Sequence, residues 1–211
     1  NNPVSMVDPS GWMYMYRAAL LGGEAGTFAQ ITTPFYSSDL VYFERGWPNC
    51  PTWAQYYLAA QMATCSSFGK KIVTIAEFFL GQEAASLFPE NDPSNCCANF
   101  VSLVLRLAGV FSAEENYSWV GMEGEGGLLD RLIVLGLEQN GISGSIIVFD
   151  TECSKVEPWR ILHHVGIYLG YGKFIGSNNP RKNPTGSQTV TREDLSDWGW
   201  VLGIRYFGGW Y

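Results

Sequence analysis

The sequence predicts an α+β fold, with helices packed on a small antiparallel β-sheet. Helical periodicity occupies the middle of the chain, and strand-like runs separated by tight turns occupy its last third. Elements segregated in this way, rather than alternating, favour helices set against an antiparallel sheet. The core material is ample: hydrophobic residues make up 46% of the 211 residues and aromatic residues 15%. Such a composition belongs to a packed domain, not a disordered one.

Taken in chain order, Gly11 to Leu21 reads as a helix, and a second begins after Pro51, with Thr52 as cap and Trp53, Tyr56, Leu58 and Met62 along it. Residues 72–83 place Ile72, Ile75, Ala76, Phe79 and Leu80 on one helical face. The turn-rich run Pro89-Glu90-Asn91-Asp92-Pro93 follows, and Ser94 or Asn95 then offers an N-cap. The next helix is expected over 96–108, stopped by Gly109. After an acidic loop carrying Glu114, Glu115, Glu123 and Glu125, residues 128–138 read as another helix, ended by Asn140-Gly141. The β-rich remainder starts at 145–149. Residues 165–169 and 173–176 form a hairpin across Gly170-Tyr171-Gly172, and 188–191 and 200–207 are later strands. Residues 1–68 are expected to form an aromatic N-terminal extension or docking region, and 69–211 the main domain.

Charge narrows the function classes. The formal net charge is −7, and Lys70-Lys71 and Arg181-Lys182 are the densest basic runs. Nucleic acid and anionic membranes normally require a basic stripe, so neither is an expected partner. No apolar run reaches the length of a membrane span. The opening residues, Asn1-Asn2-Pro3-Val4-Ser5, do not read as a signal peptide and lack an initiator Met. The chain is therefore expected to be processed or to begin inside a longer one. Its five cysteines are Cys50, Cys65, Cys96, Cys97 and Cys153. An odd number excludes a fully paired disulfide framework, and Cys50 and Cys65 are either one disulfide or two buried thiols. With no Cys-x-x-Cys and only two histidines, no metal site is expected.

The residues that carry chemistry are few. A cysteine nucleophile must reach the thiolate state, and a helix N-terminus or a nearby imidazolium assists this. Cys96 and Cys97 both fall in the first turn of an expected helix, where unpaired N–H groups favour negative charge. The face of Cys97, with Phe100, Val101, Val104 and Ala108, is wholly apolar. That of Cys96 includes Asn99, and periodicity alone leaves the choice open. The histidines, His163 and His164, begin a strand, so one faces the helices and the other faces away. An Asn in Ser177-Asn178-Asn179, one hairpin later, can orient an imidazole.

These segments resemble the NlpC/P60 and CHAP cysteine peptidases, which are papain-like cell-wall hydrolases. Asn95-Cys96-Cys97-Ala98-Asn99-Phe100-Val101, running to Leu107-Ala108-Gly109-Val110, is similar to their nucleophile helix. Counting back from Ala108-Gly109 places the nucleophile on Cys97. Gly144-Ser145-Ile146-Ile147-Val148-Phe149 resembles the strand that follows. His164-Val165-Gly166-Ile167-Tyr168-Leu169-Gly170 matches the family's catalytic-histidine strand residue for residue. Phe174-Ile175-Gly176-Ser177-Asn178 stands where the third polar residue belongs. The resemblance spans roughly residues 70–207. Two positions depart from it: Gly176 replaces a frequent His, and Cys96 replaces the usual Asp before the nucleophile.

The resemblance implies a papain-like NlpC/P60 fold with Cys97, His164 and Asn178 as catalytic residues and no metal or organic cofactor. It also implies peptidoglycan as substrate, cut at a stem-peptide bond or at the N-acetylmuramoyl–L-alanine amide. A secreted or virion-associated protein is expected. The scarcity of basic residues favours delivery by a phage tail or secretion complex, docked through the N-terminal aromatic region. The acidic loop is expected either to attract a substrate amino group or to be simply solvated. The competing class is a catalytically inactive papain-like binding module, which would account for both departures. A third reading keeps the chemistry but changes the substrate to another amide.

Overall fold

The computed structural model describes residues 58, 61–62, 64–83, 87, 96–135, 138–152, 161–177, 188–198 and 201–209. The expected helices over 11–21 and just after Pro51 lie mostly outside these residues, as does the docking region. Leu58, Gln61 and Met62 are helical.

The fold is α+β. Helices α1 (Phe68–Phe78), α2 (Cys97–Ala108) and α3 (Leu128–Val134) precede strands β1 (Ile146–Glu152), β2 (Ile161–Gly170), β3 (Lys173–Gly176), β4 (Thr191–Asp194) and β5 (Val201–Phe207). All pairings are antiparallel, in the spatial order β4-β3-β2-β1-β5. A 3-10 turn, Leu195–Trp198, separates β4 from β5 and was not foreseen from the sequence.

Strand alternation divides the core into two layers. On one face Ile146, Val148, Val165, Ile167 and Ile175 meet Ile72, Ile75, Phe100, Val101 and Val104 from α1 and α2. On the other, Ile147, Phe149, Tyr168, Phe174 and Trp198 form a smaller, largely aromatic cluster. Helix α2 is buried on nearly every side, Arg106 excepted. That explains why its apolar residues are not confined to one stripe.

Helix ends differ from expectation where the sheet competes for the chain. Helix α1 starts at Phe68 because Ser67 caps it, its Oγ accepting from Lys70 N at 3.3 Å. It stops before Leu80, because Gly81 N donates to Val190 O and Val190 N to Gln82 O, both at 2.9 Å. Glu83, expected at the helix end, instead bridges Thr189. Likewise α3 ends at Val134, not Glu138; Glu138 bridges Phe207 and Gln139 N donates to Tyr206 O at 2.9 Å. The strand expected at 188–191 forms three residues later, as β4.

One close approach locks α1 to the sheet. Gly144 has φ +91°, and a Cβ there would lie 2.4 Å from the Cα and O of Gly69. No other residue type fits that contact without moving the helix. An ion pair between Arg192 Nη2 and Glu77 Oε1, 2.5 Å, ties the far edge of the sheet to the same helix.

Candidate active site

Helix α2 begins at Cys97, with Cys96 as the N-cap residue, whose own side chain makes no capping hydrogen bond. The expected caps, Ser94 and Asn95, lie outside the described residues. The first intrahelical bond, Phe100 N to Cys96 O, is 2.9 Å. The amides of the first turn therefore need partners from elsewhere. Cys97 Sγ takes up part of this role. It lies against the N–H groups of Ala98, Val165 and Cys97 itself. Val165 N belongs to the peptide bond joining His164 to Val165, so the sulfur meets β2 beside the two histidines.

Cys97 is 1% exposed. Burial dominates its ionisation and pushes the thiol up to about 12. The amides of Ala98 and Val165 act in the opposite sense, and neighbouring Cys96 adds to the rise. His164 is 3% exposed, and burial holds it down to about 3. At neutral pH both groups rest uncharged.

The two histidines occupy opposite faces of β2. His164 stands opposite Phe149 in the register. Its ring packs in an aromatic cage: Phe149 at 5.3 Å, Phe174 at 5.9 Å and Trp198 at 4.1 Å between centroids, the indole tilted by only 30°. Gly166 makes room for this cage, since a Cβ there would lie 2.4 Å from the Phe174 ring. His163, by alternation, shares the α2-covered face with Val165. It stands opposite Asp150, and His163 Nδ1 lies 2.6 Å from Asp150 Oδ1. Both side chains of this pair are partly exposed.

His164 Nε2 is buried and has no hydrogen-bond partner among the described residues. It points toward Gly176, where a Cβ would stand 3.5 Å away. Gly176 presents no side chain to the ring, and the Phe174 ring fills the space beside it, 3.1 Å from where that Cβ would be. Asn178, expected to take that role, lies outside the described residues. Ser177 is buried, and its Oγ also has no partner there.

Sequence reasoning missed three residues around this site. Asp150 is joined to His163 only by the β1–β2 register. Trp198 reaches His164 from the turn after β4, and Glu193, within β4, is linked to it only through Trp198. Glu193 is 2% exposed; its Oε1 accepts from Thr191 Oγ1 at 3.0 Å and its Oε2 from Trp198 Nε1 at 2.9 Å.

The acidic loop is largely engaged with its own surroundings. Glu115 pairs with Arg131 at 2.5 Å and accepts from Ser112 N, Glu125 accepts from Met122 N, and Glu123 lies 3.4 Å from Arg205. Cys65 is a free thiol, 3.3 Å from Thr74 Oγ1; Cys50 and Cys153 lie outside the described residues. Among the described residues no helix is long and apolar enough to cross a membrane. Compared with known proteins, the chain matches no family model and no curated protein sequence.

Proposed function

We propose that the chain is a papain-like thiol hydrolase acting on peptidoglycan, as a cysteine endopeptidase or an N-acetylmuramoyl–L-alanine amidase. The observation that carries this reading is the meeting of Cys97, in the first turn of α2, with the amide that links His164 to Val165. A sulfur in the first turn of a helix, meeting a strand at the peptide bond that follows a histidine, supports thiol acyl transfer, which needs a helix N-terminus and an imidazole near the thiol. The peptidoglycan substrate rests on the sequence resemblance.

The reaction starts from the neutral pair. His164 takes the proton of Cys97 as sulfur attacks the amide carbonyl. Burial opposes either charge alone, but one proton transfer makes both at once, and their attraction offsets part of the desolvation. The N–H groups of the first turn of α2 receive the oxyanion. His164 then protonates the leaving amine. Water cleaves the thioester, releases the acid and restores the thiol. The acidic chain would reach anionic walls as part of a larger assembly, such as a phage tail tip.

One contact favours a second reading of the base. His163, not His164, carries the carboxylate partner that orients a catalytic imidazole, through Asp150 at 2.6 Å. In that case His164 is a core residue of the aromatic layer.

The test is digestion of purified peptidoglycan by the wild type and by Cys97→Ala, read by mass spectrometry of the soluble fragments. Fragments are expected from the wild type only, and their masses name the bond. With the nucleophile gone, release is expected to fall by at least about 10³-fold. No fragments from any wall chemotype would instead assign the chain to the binding-module class.

A further inference from the structure

We propose that Glu193 and Trp198 form a clamp that positions the His164 ring, to which Gly176 presents no side chain. The inference rests on His164 being the base.

A general base works only if its ring is held in one orientation. An orienting hydrogen bond usually does this. Here Nε2 has none among the described residues, and Gly176 presents no side chain toward it. What the ring does have is a stacked indole. Trp198 lies 4.1 Å from His164, centroid to centroid, at 30°, closer and flatter than Phe149 or Phe174. The two phenylalanines meet the imidazole at steep angles, 64° and 63°, so neither lies along its face to set the rotation of the ring. A near-parallel indole closes that freedom, because a turned ring would strike it.

The indole must itself be fixed, and stacking alone does not set its direction. Trp198 ends the 3-10 turn, where its side chain reaches back over β3 toward β2. Its Nε1–H is buried and donates to Glu193 Oε2 at 2.9 Å. The other carboxylate oxygen accepts from Thr191 Oγ1 at 3.0 Å, so the carboxylate plane is held at both ends. Glu193 stands opposite Phe174 in the β3–β4 register, which places the anchor on the rigid sheet rather than on a loop. A carboxylate buried in an aromatic layer is costly unless its hydrogen bonds are made. Its presence here is accounted for by the direction it gives to the indole.

Acting through another residue has a specific signature, which is non-additivity. Glu193→Leu removes the anchor, Glu193→Gln retains an oxygen acceptor for the indole, and Trp198→Phe retains a ring without the N–H. Two readouts apply. One is ¹⁵N NMR of the His164 ring, resolvable because the chain has only two histidines. The other is fragment release from purified peptidoglycan, with kcat and apparent KM separated. The wild type is expected to show one His164 tautomer with sharp signals. Glu193→Leu and Trp198→Phe are expected to broaden or double those signals and to lower kcat about tenfold with apparent KM unchanged, a minor part of a general base's contribution. Glu193→Gln is expected to restore both readouts to within about threefold on the same scale. Adding Glu193→Leu to Trp198→Phe is expected to change neither readout further.

Unaltered His164 signals in folded Trp198→Phe would overturn the clamp, as would full additivity in the double variant. If Glu193→Leu does not fold, Glu193→Gln and Trp198→Phe still decide. A wild type that releases no fragments, yet shows the ordered ring and its loss in Trp198→Phe, would contradict the hydrolase and leave the clamp standing.

Discussion

His164→Gln is expected to lower fragment release from peptidoglycan by about 10²–10⁴-fold, the range a general base contributes. His163→Gln is expected to leave it within about threefold, well below that range. The comparison is informative because the two rings differ so sharply in setting. His163 is partly exposed and bound to Asp150 at 2.6 Å, the environment of an ordinary orienting pair. His164 is buried among Phe149, Phe174 and Trp198, an environment that penalises its charged form. A base in that setting accepts a proton only when a compensating negative charge forms beside it. In the proposed reaction that charge is the thiolate of Cys97, whose sulfur lies against the next amide along β2. Initial rates of both variants, measured beside the wild type, separate the two assignments. The reverse pattern, with His163→Gln inactive and His164→Gln active, would move the base to the His163–Asp150 pair.

The same two buried groups are expected to bound the protein's stability in pH. In the folded chain His164 titrates near 3, against 6.5 for an unperturbed imidazole. Below pH 6.5 the unfolded chain takes up a proton that the native state refuses, so stability falls as pH falls. The slope is about 1.4 kcal/mol per unit and ends near pH 3. Cys97 works on the other side. Its folded value is about 12 against 9.0, so its stabilising contribution is complete below pH 9 and is lost as pH rises toward 12. Between pH 6.5 and 9 neither group disturbs folding. Urea unfolding under reducing conditions checks this by difference. From pH 6.5 to 4.5 the wild type is expected to lose about 2–3 kcal/mol more than His164→Gln. From pH 9 to 10.5 it is expected to lose about 2 kcal/mol more than Cys97→Ala. Parallel pH curves for wild type and variant would mean that the side chain is hydrated in solution.

Much of the fold was legible because local signals and tertiary demands agreed. Helix α2 is apolar except at Asn99, Ser102 and Arg106 and is stopped by Gly109, which adopts φ +80°. The β2–β3 hairpin carries two glycines with positive φ around Tyr171. Where the two demands disagreed, the sheet prevailed. Leu80 fits the helical face of α1, yet Gly81 and Gln82 pair with Val190. Glu138 continues the periodicity of α3, yet it bridges the end of β5. Periodicity reports a segment's own preference and carries no trace of a strand arriving from a hundred residues away.

The site was legible to the same depth. Cys97 and the vicinal histidines can be found because their residue types are scarce. Which histidine faces the helices depends on the β1–β2 register, and that register also brings Asp150 opposite His163. The link from Glu193 through Trp198 to His164 depends on a turn that no local motif announces. The sequence showed Gly176 as a departure without showing that the Phe174 ring packs beside it.

The central claim is that Cys97 carries the acyl group, and the most direct measurement is of that bond. Wild-type protein mixed with soluble muropeptides, quenched in acid and digested, should yield a thioester adduct on the peptide containing Cys97. The adduct is expected to appear before free product, to disappear with hydroxylamine, and to be absent in Cys97→Ala. An adduct on Cys96, or muropeptide cleavage without any cysteine adduct in the wild type and with equal rate in Cys97→Ala, would contradict the account.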